Sequence, residues 1–387
     1  MNREQIVDIP VYETYGNAIE RGKIPYRDFR LEYPPGALPV FALASLVSDR
    51  GDSTRFREAF ERLMALFGIV TVFLAAVLLR GLAASRARVA AGLAGLAVFP
   101  LLLGSVVLTR FDLWPALLTV SALTALVWRR DRLGFGLLGL AIAAKLYPAV
   151  LAPLALSYVW RRQGRREALV CLGVLGAVVA LALLPFLVLA PDGVAYSLGR
   201  QLGRPLQIES LGSGFFLVAH QLFGLELEMR SGHGSQNLDG VGPAVAAVGL
   251  SLVQLGVLTW VSLRRPATAE ELIRWAAVAL VAFVVLGKVL SPQFLIWLAP
   301  IVPLVAGRRG LGAWVLLGFA MVLTQLWFPS RYWELALEFD PLASWLVLLR
   351  DLVLVALLVV LVRAPAAAMP RWQRALGGAG QGRRERS

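Results

Sequence analysis

The sequence predicts an all-α integral membrane protein, a polytopic helical bundle, and three observations carry that expectation. Of 387 residues, 58% are hydrophobic and 16% charged, more apolar sequence than a soluble core can bury. The apolar residues gather into runs long enough for membrane helices, and the mean hydropathy is +0.69. Most arginines stand in short clusters between those runs, as the positive-inside rule requires. That distribution also accounts for the net charge of +13 without nucleic acid, which would need a basic face on a soluble fold.

Taken in order, residues 37–47 form a run too short to span and read as a juxtamembrane helix, followed by a charge-balanced link over 48–58. Spans are expected at 60–79, 89–108, 113–128, 169–190, 241–263, 272–286, 294–306, 311–328 and 342–362. The stretch 133–160 is too long for one span and is interrupted by Lys145, Pro148 and Pro153. Arginines flank it on both sides, so it reads as a helical hairpin with Lys145 near the tip.

This alternation gives about eleven spans and sets Arg80, Arg86, Arg88, the arginines around 129–132 and 161–166, Arg264, Arg265, Arg308, Arg309 and the basic tail on one side, the cytoplasm. The opposite side receives the first loop, the Arg110/Asp112 turn, the Lys145 tip, a long loop over 191–240, the 288–293 turn and the segment 329–340. The division is then an external catalytic loop and juxtamembrane helix over 1–58, a transmembrane domain over 59–363 and a disordered cytoplasmic tail over 364–387.

Several chemistries have no support. Cys171 sits in an apolar run, and His220 and His233 lack a ligand spacing, so neither a disulfide framework nor a metal site is expected. There is no DxD or Walker sequence and no GxGxxG after a strand, which argues against a nucleotide-sugar enzyme with a soluble domain and against an ATP-driven pump. The opening MNREQIVDIP has no apolar core of a signal peptide.

Two constellations remain. The first loop holds Asp8, Tyr12, Tyr15, Arg27, Asp28, Glu32 and Tyr33, and a carboxylate near the membrane surface suits general-base work. The competing reading is a solvated loop with interfacial tyrosines. The second is basic: Arg110, Lys145, Arg200, Arg204, Lys288 and Arg331 lie on the side that positive-inside bias depletes, and phosphate binding would explain them. Each alone also fits an ordinary ion-pair partner. The stretch 196–224 reads as an amphipathic segment on the outer surface, where Glu209 and Ser210 offer an alternative acid and hydroxyl. Arg350 and Asp351 fall mid-span and read as structural charges paired with groups on other helices.

Asp8, then YETYGNAIERGKIPYRDFRLEYPPG, RFDLWPALL from Arg110, AKLYPAVLAPL from Ala144, GRPLQIESLGS from Gly203 and SPQFLIWLAP from Ser291 together resemble glycosyltransferase family 87, of the GT-C class. The resemblance implies a mannosyltransferase-like membrane enzyme, with inverting transfer from a polyprenyl-phosphate sugar to a lipid-linked or polysaccharide acceptor on the outer face of the cell membrane. Asp8 matches the family's aspartate and would be the base. Tyr12, Tyr15, Arg27, Asp28, Glu32, Tyr33, Arg110, Asp112, Lys145, Arg200, Arg204, Gln207, Glu209, Lys288, Gln293 and Arg331 would line the substrate site, with Tyr12, Tyr15, Tyr33 and Trp297 stacking on sugar or lipid. No cofactor is implied, because cations can stabilise the leaving phosphate. The family's helix before the aspartate is absent here, so an upstream span is expected, giving about twelve spans with both ends inside. The rival reading is a transporter or flippase of a lipid-linked saccharide, but the paired broken helices of a repeat are not visible.

Overall fold

A computed structural model describes residues 8–48 and 52–364. The expected tail, apart from Ala364, and the first seven residues lie outside that range.

Within the described residues, the expected first loop carries a helix, α1 (Ile9–Glu20). Pro10 is accommodated in the first turn, and Ile9, Tyr12, Tyr15 and Gly16 fall on one face at helical spacing, so α1 buries that face against α2 (Leu38–Leu46). The helix α3 (Ser53–Gly81) opens on Asp52, whose side chain accepts from the backbone N–H of Thr54 and Arg55. Its first turns carry Arg55, Arg57, Glu58, Glu61 and Arg62, and the sequence turns apolar from Leu63.

The expected span 89–108 divides into α4 (Arg86–Leu103) and α5 (Val106–Thr109), because Gly104 takes a positive φ of 58° and ends the first piece. Then come α6 (Leu113–Val127) and α7 (Asp131–Ala144), and after a short 3₁₀ turn at Tyr147–Leu151, α8 (Ala152–Gln163). Lys145 lies at the tip between α7 and α8, and Arg162 near the end of α8 pairs with Asp131 at the start of α7, so the two run as a hairpin. The helix α9 (Arg165–Leu189) follows.

The segment expected as one amphipathic surface stretch is α10 (Pro191–Leu202), a buried extended loop and α11 (Leu211–Phe223). After it comes a hairpin that the sequence reading treated as loop, β1 (Glu228–Gly232) paired antiparallel with β2 (Ser235–Asp239). Residues 206–208 run along β2 like a partial third strand: Leu238 N–H donates to Leu206 O and Ile208 N–H to Gln236 O, at 2.9 and 3.0 Å.

The chain continues through α12 (Val241–Ser262) and α13 (Ala269–Val285), the latter buried almost along its whole length. The expected span 294–306 is not a regular helix: only α14 (Leu295–Leu298) forms between 3₁₀ turns, since Pro292, Pro300 and Pro303 interrupt it. Irregular backbone at such depth survives because protein surrounds it. The fold closes with α15 (Gly307–Gln325), α16 (Tyr332–Glu338) and α17 (Pro341–Val362), which packs on α11, α13 and α15.

Among the described residues, five helices are long and apolar enough to cross a membrane: α3, α4, α9, α12 and α17. The eleven spans of the sequence reading are therefore not eleven uniform helices. At 15 residues α6 reaches only about 22 Å, short of a hydrocarbon core of about 30 Å.

Candidate active site

The polar side chains gather at one end of the bundle, and the level of that end is fixed by α3. The ring of Tyr12 stacks on Phe60 at 5.2 Å and Trp114 lies on Phe67 at 4.9 Å. Between those positions α3 passes from charged to apolar sequence, so the cluster lies level with that change of polarity. The other end holds the pairs Arg88–Glu270, Arg132–Glu167 and Arg162–Asp131.

Asp8 immediately precedes α1, and its carboxylate pairs with Arg110, which α5 delivers to the turn before α6. Its other oxygen accepts from the Tyr12 hydroxyl at 3.2 Å. Arg110 is buried and its charge is strengthened by Asp8, whereas the Asp8 side chain is 30% exposed and can meet a substrate. Asp112, two residues on, is wholly buried: one oxygen accepts from Lys145 Nζ at 2.5 Å and Trp297 Nε1 at 2.6 Å, while the other has no hydrogen-bond partner. The Lys145 ammonium lies over the rings of Phe111 and Trp297 at 4.7 and 5.0 Å. Its charge is thus spent on Asp112 and the aromatic wall, which removes it as an open phosphate ligand.

Segments 24–36 and α10 close the next wall. Arg200 pairs with Glu32 at 2.8 Å and donates to Tyr196 Oη at 3.2 Å, and Gln201 donates to the Glu32 carbonyl at 2.9 Å. Close backbone approach makes this possible: a Cβ on Gly193 would lie 2.0 Å from the Tyr26 carbonyl oxygen, and one on Gly36 2.6 Å from the end of α7.

Arg204 follows in the buried loop. Its Nε is buried without a hydrogen-bond partner, and among the described residues no ion pair or hydrogen bond holds its guanidinium. Burial lowers its pKa, and Arg200 adds to that, against the raising pull of Tyr33, Glu32 and Glu209. Lys288 is close enough for Arg204 to depress it further after burial has done so. The Lys288 carbonyl accepts from Gln207 N–H at 3.0 Å, fixing the loop to the turn after α13.

Gln207 Nε2 donates to Glu209 and to Ser291 Oγ, the latter at 2.8 Å. Glu209 is 2% exposed and one of its carboxylate oxygens has no partner. Burial pushes its pKa up to about 7, against the lowering pull of Arg350, Arg110 and Arg204. Tyr332, at the start of α16, lies beside it and is pushed up by burial and then by Glu209.

The structure thus brings together Asp8, Glu32, Tyr33, Arg110, Asp112, Lys145, Arg200, Arg204, Gln207, Glu209 and Lys288. Several expected contacts fail on geometry. Tyr12 is fully buried between Phe41 and Phe60, and Tyr15 is 8% exposed, so neither ring offers a face to a sugar. Trp297 is sandwiched between Tyr147 and Phe294, at 4.1 and 4.0 Å, and is likewise a wall. Arg27 and Asp28 are exposed and pair with each other, Asp28 also accepting from Ile24 N–H at 2.7 Å as a turn lock. Arg331 turns to Glu334 and Asp340, at 3.1 and 3.8 Å. Gln293 is half-buried beside the cluster. Sequence reasoning missed Tyr332 and the reach of Arg350, whose Nη2 donates to the Glu209 carbonyl at 2.6 Å.

A helical membrane protein with a buried acid–base cluster at one end of its bundle is the class that fold and site define. The profile of glycosyltransferase family 87 matches residues 31–292, about two thirds of the chain, and the protein belongs to that family: it is a membrane glycosyltransferase. The matched segment begins after Asp8 and ends before Tyr332 and Arg350. A search of curated proteins gives no match.

Proposed function

We propose that this glycosyltransferase moves a hexose, mannose by family resemblance, from a polyprenyl-phosphate donor to a lipid-linked or glycan acceptor on the outer face of the cell membrane, with inversion. The observation that supports it best is Arg204: a mostly buried guanidinium without an ion pair among the described residues, beside Lys288 and level with the charged-to-apolar change along α3. Leaving such a cation unpaired costs several kcal/mol, and a phosphate carried by a lipid meets it at the right depth.

Asp8 takes the proton from the acceptor hydroxyl as that oxygen attacks the anomeric carbon, and the bond from that carbon to the phosphate oxygen breaks. The electron pair leaves on the polyprenyl phosphate, where Arg204 and Lys288 meet the growing charge. Arg110 pairs with the Asp8 carboxylate and orients it, and Asp112 with Lys145 holds the turn that carries Arg110. Attack from the face opposite the leaving phosphate inverts the anomeric centre. The arginine-rich end of the bundle lies in the cytoplasm and the Asp8–Arg204 end faces outward.

The test is transfer of labelled sugar from polyprenyl-phosphate mannose to membrane acceptors by wild type and Asp8→Asn. Loss of a general base lowers turnover by roughly 10²- to 10⁴-fold. Equal transfer by the two would remove Asp8 as the base. If neither transfers yet vesicles carrying the protein flip a lipid-linked sugar, the flippase reading replaces this one.

A further inference from the structure

Arg350 and Asp351 lie inside α17, away from the loops that build the site, and both side chains are completely buried. Arg350 Nε stands 2.6 Å from an Asp351 carboxylate oxygen, and the Trp327 ring lies 5.7 Å from the guanidinium. Neither partner is on another helix, contrary to the sequence expectation. Burying a charge pair costs several kcal/mol per ion before any attraction is counted, and well-packed apolar residues commonly replace such a pair without loss. The pair is therefore an expensive way to fill space.

What an apolar pair cannot do is the hydrogen bond that Arg350 makes beyond its own helix. Its Nη2 donates to the backbone carbonyl of Glu209 at 2.6 Å, inside the loop that also carries Arg204 and Gln207. The same loop is held elsewhere by Gln207 N–H on the Lys288 carbonyl and by Ile208 N–H on Gln236. Ser210 then caps α11, and Gly214 of α11 lies against the backbone of Leu348 in α17. Each end of the loop thus has an anchor, and at Glu209 the anchor is a charge.

We propose that Arg350 is a positioning residue for the donor site: it pins the Glu209 carbonyl and so sets where Arg204 and the Glu209 carboxyl stand, with Asp351 fixing the angle of the guanidinium. The proposal rests on the reading of Arg204 as a ligand of the donor phosphate.

The experiment measures binding of polyprenyl phosphate without sugar to the full chain in detergent, for wild type, Arg204→Gln, Arg350→Lys and the charge-neutral Arg350→Gln/Asp351→Asn. The lysine keeps the charge pair and the double variant removes both charges together, so both preserve neutrality while loosening the carbonyl bond. Both are expected to unfold near the wild-type temperature yet bind about tenfold more weakly, the order of one lost hydrogen bond from a charged donor. In turnover assays the donor KM should rise by a similar factor while the acceptor KM stays put. Wild-type affinity in both variants would reduce Arg350 to a structural charge and overturn the proposal alone. Failure of the wild type to bind polyprenyl phosphate would bring down the donor-site reading and the proposal with it.

Discussion

Arg110 and Arg204 carry the same group at the same end of the bundle, and only their partners distinguish them. Arg110 is held by Asp8, whereas Arg204 has no ion pair or hydrogen bond among the described residues. Replacing Arg204 by Gln should therefore raise the donor KM about 10- to 100-fold, the equivalent of a charge-assisted contact of about 1.5 to 3 kcal/mol, with the fold intact because nothing leans on it. Unchanged donor KM would move the phosphate elsewhere. Glu209 makes a prediction of opposite kind. Its folded pKa of about 7 is above the usual carboxylate range, so the folded state holds a proton that the unfolded chain loses first. Stability then falls as pH rises from about 4.5 to about 7 and is flat beyond, a contribution bounded at about 3 kcal/mol. Thermal unfolding of wild type and Glu209→Gln across that range checks it: the variant should lack that part of the slope, and parallel slopes would mean the carboxyl is solvated. Sequence alone named both residues, but it could not rank them, because partner and burial depend on segments far apart in the chain. Lys145 and Arg204 are alike in sequence and differ in that Lys145 is paired with Asp112, which also accepts from Trp297.

Hydrophobic runs and arginine flanks gave most long helices within a few residues, since length and composition dictate a membrane span, but α3 begins at Ser53 inside the expected 48–58 link because its charged first turns are helical too. They did not give α1, the β1–β2 hairpin or the break around α14. In each case the deciding factor is tertiary: α1 is too short for a span and is helical because one face meets α2, and the hairpin is stabilised by residues 206–208. Proline spacing over 292–303 was the available signal for the broken segment, and hydropathy overrode it. The element α10 offers a direct check of how its wall is built. Gly193→Ala sets a methyl against the Tyr26 carbonyl, and overpacking against backbone costs about 1 to 3 kcal/mol. Gly199, in the same helix, has nothing within 4 Å of an added Cβ, so Gly199→Ala should stabilise by about 0.5 to 1 kcal/mol. Paired melting curves should separate the two variants in opposite directions. Equal curves would mean that α10 is free of the segment 24–33.

At the scale of the whole molecule, two sets of charges occupy opposite ends: the Asp8, Asp112, Glu209 and Arg204 cluster at one, and Arg88, Arg132 and Arg162 with their acidic partners at the other. The positive-inside rule assigns the arginine-rich end to the cytoplasm, and the proposed function requires the other end to face outward. Orientation can be read in intact cells without altering the native thiol, because Cys171 is fully buried. A cysteine at exposed Glu226, beside the hairpin, should react with a membrane-impermeant reagent added outside, whereas one at exposed Arg161, at the end of α8, should react only after the cells are opened. The reverse pattern would turn the protein over, place the cluster in the cytoplasm and require a donor presented on the inner leaflet. Since the two positions sit at opposite ends of the same bundle, one pair of labelling reactions decides the sidedness of the site.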